Sequence, residues 1–332
     1  MIQIGVIGYG YWGPIVARNF ATAEGTVLTA VSDKNPAALE RACRAHPGIL
    51  ATSDPMEVIR SPRVDAVAVI TPVWTHYKFA KAALENGKHV FVEKPFTATS
   101  SQAQELIDLA LARNLQIMVD HTFLFTGAVR KIRQLIDEGV LGKLFYYDSV
   151  RVNLGLFQHD VNVIWDLAPH DLAIMDYLIE ARAEAVGATG QCHLNSLEDL
   201  AYLTVYFPGM LAHINVNWLS PVKVRTTLIG GEKKMALWND LEPDEKVRIY
   251  DKGVEITSGQ GVYDLLVSYR SGDMWAPKVD SAEALKVEAG YFRDCVENNR
   301  TPINDGLAGL RVVRMLEAAG QSLKQRGGAV AL

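Results

Sequence analysis

The run Ile2-Gln3-Ile4-Gly5-Val6-Ile7-Gly8-Tyr9-Gly10-Tyr11-Trp12-Gly13-Pro14 decides the fold. Ile2 to Ile7 is apolar enough for a strand buried on both faces, the mark of a parallel sheet. Gly8-Tyr9-Gly10-Tyr11-Trp12-Gly13 is a G-x-G-x-x-G turn, and Pro14 suits the first turn of the helix that follows. Val27 to Val31 reads as a second strand ending at Asp33, twenty residues beyond Gly13. Strand, glycine turn, helix and distal acid together form the fingerprint of a dinucleotide site. The first glycine makes the tight turn, the second admits the pyrophosphate, and the third lets helix and strand pack closely. Helix N-terminal amides then face the phosphates. Gly8, Gly10, Tyr11, Trp12, Gly13 and Asp33 are therefore candidate cofactor residues. Asp33 favours NAD, because a carboxylate accepts from a ribose hydroxyl and repels a 2′-phosphate. Lys34 beside it leaves NADP open.

The alternation continues outward. Helices are expected over Pro36–Ala45, Asp54–Arg60, Thr75–Asn86 (Thr75 as cap) and Ser100–Arg113. Strands are expected over Val64–Ile70, up to Val92, and over Leu115–Val119. This is a doubly wound parallel α/β sheet, a Rossmann domain over residues 1–121. Beyond it, residues 122–332 read as an α+β domain with a mostly antiparallel open sheet. Its strands fall at Leu144–Val152, Glu198–Phe207, Leu211–Leu219, Val222–Ile229 and Lys246–Tyr250. Its helices fall at Gly127–Glu138, Asp166–Ile179, Ser281–Asn299 and Gly306–Lys324, the last two able to pack back on the first domain.

Composition narrows the function classes. The 332 residues are 49% hydrophobic and 21% charged, which supplies a core. A net charge of -5 and pI near 5.9 argue against nucleic acid or an anionic membrane as partner. No apolar run is long enough to span a bilayer. Cys43, Cys192 and Cys295 form no C-x-x-C pair, so neither disulfides nor zinc are expected, and a reducing, cytoplasmic compartment fits. The histidines show no metal-ligand spacing. No signal-peptide pattern is seen at the N-terminus.

Two further segments carry chemistry. His89-Val90-Phe91-Val92-Glu93-Lys94-Pro95 is a strand that ends in a carboxylate, a lysine and a proline. Strand ends are where open α/β sheets hold ligands. Asp166-Leu167-Ala168-Pro169-His170 sets an acid four residues before a histidine, on one helical face, with Pro169 expected in the first turn. His170 suits proton transfer near neutral pH, Asp166 can orient it, and Lys94 can polarise an oxygen. Whether Lys94 or His170 carries the proton stays open.

These motifs, with Thr71-Pro72 and His76 and the run Pro302-Ile303-Asn304-Asp305-Gly306, resemble the glucose–fructose oxidoreductase / inositol dehydrogenase / MocA family over nearly the whole chain. The resemblance implies a nicotinamide-dependent oxidoreductase. It assigns Lys94, Asp166 and His170 to the catalytic and substrate-contacting set, and Thr71, Pro72, His76, Glu93 and again Lys94 to the cofactor side. His76 could instead merely cover a helix start, and Glu93 brace its turn. The glycine-turn sequence, Arg151 to Phe157 and Asp160 to Trp165 are similar to nucleotide-sugar members, which work at C3 of a UDP- or dTDP-linked hexose. Arg151, Asn153 and Asn162 are then substrate candidates. The family's glycine-rich lead-in to the D-x-x-x-H is missing, which weighs against inositol or a free sugar, the alternative. A non-catalytic dinucleotide-binding regulator is the reading outside enzymes. The meander leaves one sheet face uncovered, so a homo-oligomer, dimer or tetramer, is expected through it.

Overall fold

The computed structural model describes residues 1–155, 161–256 and 267–332. Phe157, His159 and Asp160 lie outside the described residues. The chain forms two compact units, Met1–Phe125 with Ala282–Arg314, and Thr126–Ser281 with Met315–Leu332.

The first unit is a six-stranded parallel sheet in the order β3-β2-β1-β4-β5-β6. Its strands are β1 (Ile2–Ile7), β2 (Thr26–Ser32), β3 (Leu50–Thr52), β4 (Ala66–Val69), β5 (His89–Glu93) and β6 (Ile117–Asp120). The strand order reverses between β1 and β4, the switch point where such sheets bind ligands. Helices α1 (Gly13–Thr22), α2 (Pro36–Ala45), α3 (Pro55–Arg60), α4 (Val73–Glu85) and α5 (Ser100–Arg113) connect the strands. Phe20, Phe91 and Phe292 meet edge to face in the core, at centroid separations of 5.2 to 6.0 Å. That contact packs α8 (Ala284–Glu297) onto α1 and β5. Asp54 caps α3 as expected, its carboxylate accepting from Met56 N. Thr75 does not cap α4. That helix begins at Val73 after Pro72, since proline's fixed φ already suits a helix start.

The second unit carries a nine-stranded sheet, ordered β14-β13-β12-β11-β7-β10-β9-β8-β15. Its strands are β7 (Leu144–Leu154), β8 (Ala185–Gln191), β9 (Leu200–Phe207), β10 (Met210–Asn217), β11 (Leu219–Gly231), β12 (Met235–Asn239), β13 (Val247–Ile256), β14 (Val267–Trp275) and β15 (Val330–Ala331). Among the described pairs only β10 and β7 run parallel. Helices α6 (Gly127–Asp137) and α7 (Val163–Leu178) belong to this unit, and α9 (Gly306–Lys324) runs from the first unit into it.

Helix α7 starts earlier than its sequence suggests. Asn162, not Asp166, is the cap: its side chain accepts from Trp165 N at 3.1 Å. Pro169 consequently lies inside the helix instead of in its first turn. A proline there cannot donate to the carbonyl four residues back, that of Trp165.

Candidate active site

In the first unit the glycine turn crosses the end of β1. Gly8 has φ +98°, and a Cβ there would meet the Ile70 carbonyl oxygen at 2.1 Å. A Cβ on Gly13 would meet Gly8 O at 2.3 Å. Both positions therefore require glycine for backbone approach. Gly10 differs: a Cβ there would meet no protein atom within 4 Å. Its smallness leaves room for something other than protein. A cavity of about 300 Å³ opens beside it, lined among others by Gly8, Gly10, Asp33, Lys34, Thr71 and Pro72.

Asp33 leaves the end of β2 and turns both oxygens to backbone amides, Oδ2 accepting from Tyr9 N at 2.6 Å and Oδ1 from Asn35 N at 2.8 Å. It thus locks the glycine turn to the β2 end while facing the cavity. Lys34 is exposed on the cavity's rim. The open space at Gly10, the carboxylate of Asp33 and the β1/β4 switch point fit NAD, which the glycine turn and Asp33 would hold.

Tyr11 and Trp12 of the turn carry large side chains. Tyr11 is 86% exposed. Trp12 N-caps α1 and donates its indole N–H inward to Asp120 Oδ2 at 2.8 Å. His76 is buried. Its Nδ1 lies 2.9 Å from Pro95 O and its Nε2 2.6 Å from Thr71 O, so it clamps the turn after β4 to the turn after β5. Burial holds His76 below its ordinary pKa despite those two carbonyls, and the Lys94 charge pushes the same way. Thr71 further accepts from Thr75 Oγ1 at 2.6 Å. Lys94 follows β5, and its charge bears on His76, Glu93 and His121 together. The lysine is therefore set among buried polar groups, on the strand-end side of the sheet.

In the second unit Asp166 and His170 lie four residues apart on α7, one turn above the other. Trp218, fully buried, donates its indole N–H to Asp166 Oδ2 at 3.0 Å. Composition alone reads that tryptophan as core; its polar handle shows only once β10 is paired. Arg151 is 4% exposed and bound to Asp171, Nε to Oδ2 at 2.6 Å and Nη2 to Oδ1 at 3.2 Å. Ser149 Oγ donates to the same carboxylate at 2.7 Å. Arg151 thereby fastens β7 to α7 beside His170. Asn162 is likewise engaged, donating Nδ2 to Glu198 Oε2 at 2.8 Å while capping α7. It nevertheless lines a cleft of about 630 Å³ with Trp165, Glu198, Gln321 and Lys324. Asn153 sits half-buried near the end of β7. Among the described residues no cluster of three metal-ligating side chains occurs, and no helix is long and apolar enough to cross a membrane.

Comparison with known proteins agrees with this fold. Residues 2–121 match the oxidoreductase family with an NAD-binding Rossmann fold, and residues 129–236 match the GFO/IDH/MocA C-terminal domain. The chain is 29% identical to UDP-N-acetylglucosamine 3-dehydrogenase of Acidithiobacillus ferrooxidans, across 94% of both chains. It is 26% identical to scyllo-inositol 2-dehydrogenase (NAD(+)) of Bacillus subtilis, across 91% of this chain and 88% of the relative. A crystal structure of the Acidithiobacillus enzyme superposes with TM-score 0.81, covering 98% of each chain at 25% identity.

Proposed function

The chain belongs to the GFO/IDH/MocA family of NAD-dependent oxidoreductases, and from that premise we propose that it moves hydride between NAD and C3 of a UDP- or dTDP-linked hexose. The observation that carries the nucleotide-sugar reading is the match to the UDP-N-acetylglucosamine enzyme along nearly the full length of both chains. When bound, NAD supplies the hydride acceptor, or NADH the donor. The protein's own groups handle the rest. Lys94 polarises the sugar oxygen and stabilises the charge that gathers on it. His170 takes the hydroxyl proton, or returns it in the reducing direction, and Asp166 orients the imidazole. Trp218 holds Asp166 by one oxygen, which fixes the carboxylate's rotamer.

The scyllo-inositol relative supports a second reading, oxidation of a free cyclitol. Two measurements separate them. Calorimetry should detect UDP or dTDP binding to the protein, and NADH absorbance should rise with the corresponding nucleotide hexose and stay flat with inositols. Turnover of inositol without nucleotide binding would overturn the nucleotide-sugar reading. Lys94→Ala should lower kcat by about a hundredfold or more; unchanged turnover would remove Lys94 from the mechanism.

The proposal includes a homo-oligomer through the nine-stranded sheet. The face opposite Tyr147, whose hydroxyl meets α7, aligns Tyr206, Leu211 and Tyr146 in register across β9, β10 and β7, with Leu228 and Tyr202 nearby on the same face. These side chains are 37 to 52% exposed, and with the polar row Thr204, His213 and Asp148 beside them they make a mixed face of the kind that takes a partner. Sedimentation should show a dimer or tetramer that Leu211→Glu weakens; a monomer at micromolar concentration would refute it.

A further inference from the structure

The fold leaves one tryptophan in water. Of the six in the chain, Trp74 alone is exposed, at 59%; Trp218 and Trp238 are buried, and Trp12, Trp165 and Trp275 half-buried. An indole in water leaves a large apolar face unused. The backbone beneath it is nevertheless held. Trp74 sits in the first turn of α4, and its neighbours are pinned: Thr75 Oγ1 donates to Pro72 O at 2.8 Å, and His76 Nε2 lies 2.6 Å from Thr71 O. A large flat side chain on a fixed turn is a surface made in advance, which lowers the cost of ordering it on binding.

Trp74 also lines the cavity beside the glycine turn. That cavity crosses the ends of four adjacent strands, β3, β2, β1 and β4. Its lining changes chemistry from place to place. Gly10, after β1, offers open space in a turn of backbone amides, which suits phosphate. Asp33, after β2, offers a carboxylate, which suits a ribose hydroxyl. Pro55 at the start of α3, with Trp74 and Phe79 on α4, offers chiefly apolar surface. A wall of that kind takes a flat, uncharged ring. In dinucleotide folds the acid after the second strand takes the adenosine ribose, so the ring next to it is adenine.

We propose that Trp74 is the adenine platform of the NAD site, its indole packing against the base while Pro55 and Phe79 complete the apolar wall. Contact between a base and an aromatic face is indifferent to what the ribose carries. Trp74 therefore adds affinity to NAD and NADP alike, and Asp33 chooses between them. The same division of labour accounts for the exposure: the indole face left bare in the free protein is the one the cofactor covers. Adenine binding involves no sugar substrate, so failure of the nucleotide-sugar assignment leaves the platform untouched.

Acrylamide quenching of tryptophan fluorescence tests this in the full-length protein, since an exposed indole is quenched far more readily than a buried one. Trp74→Phe should remove most of the readily quenched emission and so identify it. ADP-ribose, which carries the adenine half of the cofactor, should shield that emission at saturation; nicotinamide mononucleotide should not. By calorimetry, Trp74→Ala should weaken ADP-ribose, NAD and NADP by a similar factor, about tenfold or more, and Trp74→Phe should recover most of the loss. Quenching unchanged by ADP-ribose, shielding by nicotinamide mononucleotide instead, or Trp74→Ala binding ADP-ribose as tightly as the unaltered protein would each overturn the proposal. Should Trp74→Ala not fold, quenching of the unaltered protein with the two probes still decides it.

Discussion

Removing the Arg151 guanidinium should unfold the second unit far more readily than its surface ion pairs would suggest. Arg151 and Asp171 have side chains 5% and 2% exposed, and two hydrogen bonds join them. Arg151→Met keeps most of the volume but leaves the Asp171 carboxylate buried, with Ser149 as its one remaining side-chain donor. Breaking a buried pair from one side costs about 3–5 kcal/mol, because the partner's desolvation is no longer offset. At about 2–4 °C per kcal/mol for a unit of this size, that is a drop on the order of 10 °C in Tm. The double variant Arg151→Met with Asp171→Leu removes both charges and should recover all but about 1–2 kcal/mol, the residue being Ser149 without its acceptor. Urea unfolding of the four proteins closes the cycle, with an expected coupling of about 2–3 kcal/mol. Because Asp171 follows His170, Arg151→Met should also lower kcat, while NAD affinity stays put, the cavity being confined to the first unit. A loss below about 1 kcal/mol for Arg151→Met, or a double variant no better than the single, would refute the reasoning.

Other expectations follow from single contacts. Gly8→Ala adds a Cβ where the Ile70 oxygen stands 2.1 Å away and φ is positive, so NAD binding by calorimetry should fall at least tenfold, by about 1.4 kcal/mol or more. Asp33→Ser removes the carboxylate that disfavours a 2′-phosphate, so the ratio of kcat/KM for NADP over NAD should rise by about tenfold or more; Lys34 at the rim would assist. His121 titrates near 3 in the folded protein, below its ordinary value, so its neutral form stabilises the fold above about pH 6.5 and that contribution drains away as pH falls toward 3. His121→Phe should therefore flatten the acid side of the Tm profile between those pH values. Glu288 has the opposite sign: raised in the folded state, it contributes fully below about pH 4.5 and loses that contribution as pH climbs through its folded value. Glu288→Gln should flatten the alkaline side, as read by thermal unfolding.

Local signals in the chain were enough for the glycine turn and most strands and helices of the first 121 residues. Glycines at 8 and 13 announce a backbone approach that any side chain would block, and Asp33 follows at the spacing one βαβ unit needs. Asp54 and Pro36 mark helix starts by the same short-range chemistry. The strands that escape a sequence reading lack that signal. β3 has three residues, and β8 includes Gly187 and Gly190, which weaken strand propensity. The start of α7 was missed because Asp166 and Asn162 are both capable caps, and only the fold shows which one meets a free amide.

The sequence by itself determined the parallel sheet, the dinucleotide turn and the D-x-x-x-H spacing, since each depends on residues within a few turns of one another. Tertiary structure alone decided which polar groups share a site. Trp12 reaches Asp120 across 108 positions, Trp218 reaches Asp166 across 52, and Glu288 meets Asn304 only because α8 returns to the first unit. The same residue types in solvent would stay solvated. Burial against chosen neighbours is what turns Arg151 into a brace and Trp218 into an anchor, and no local pattern encodes which strands and helices become neighbours.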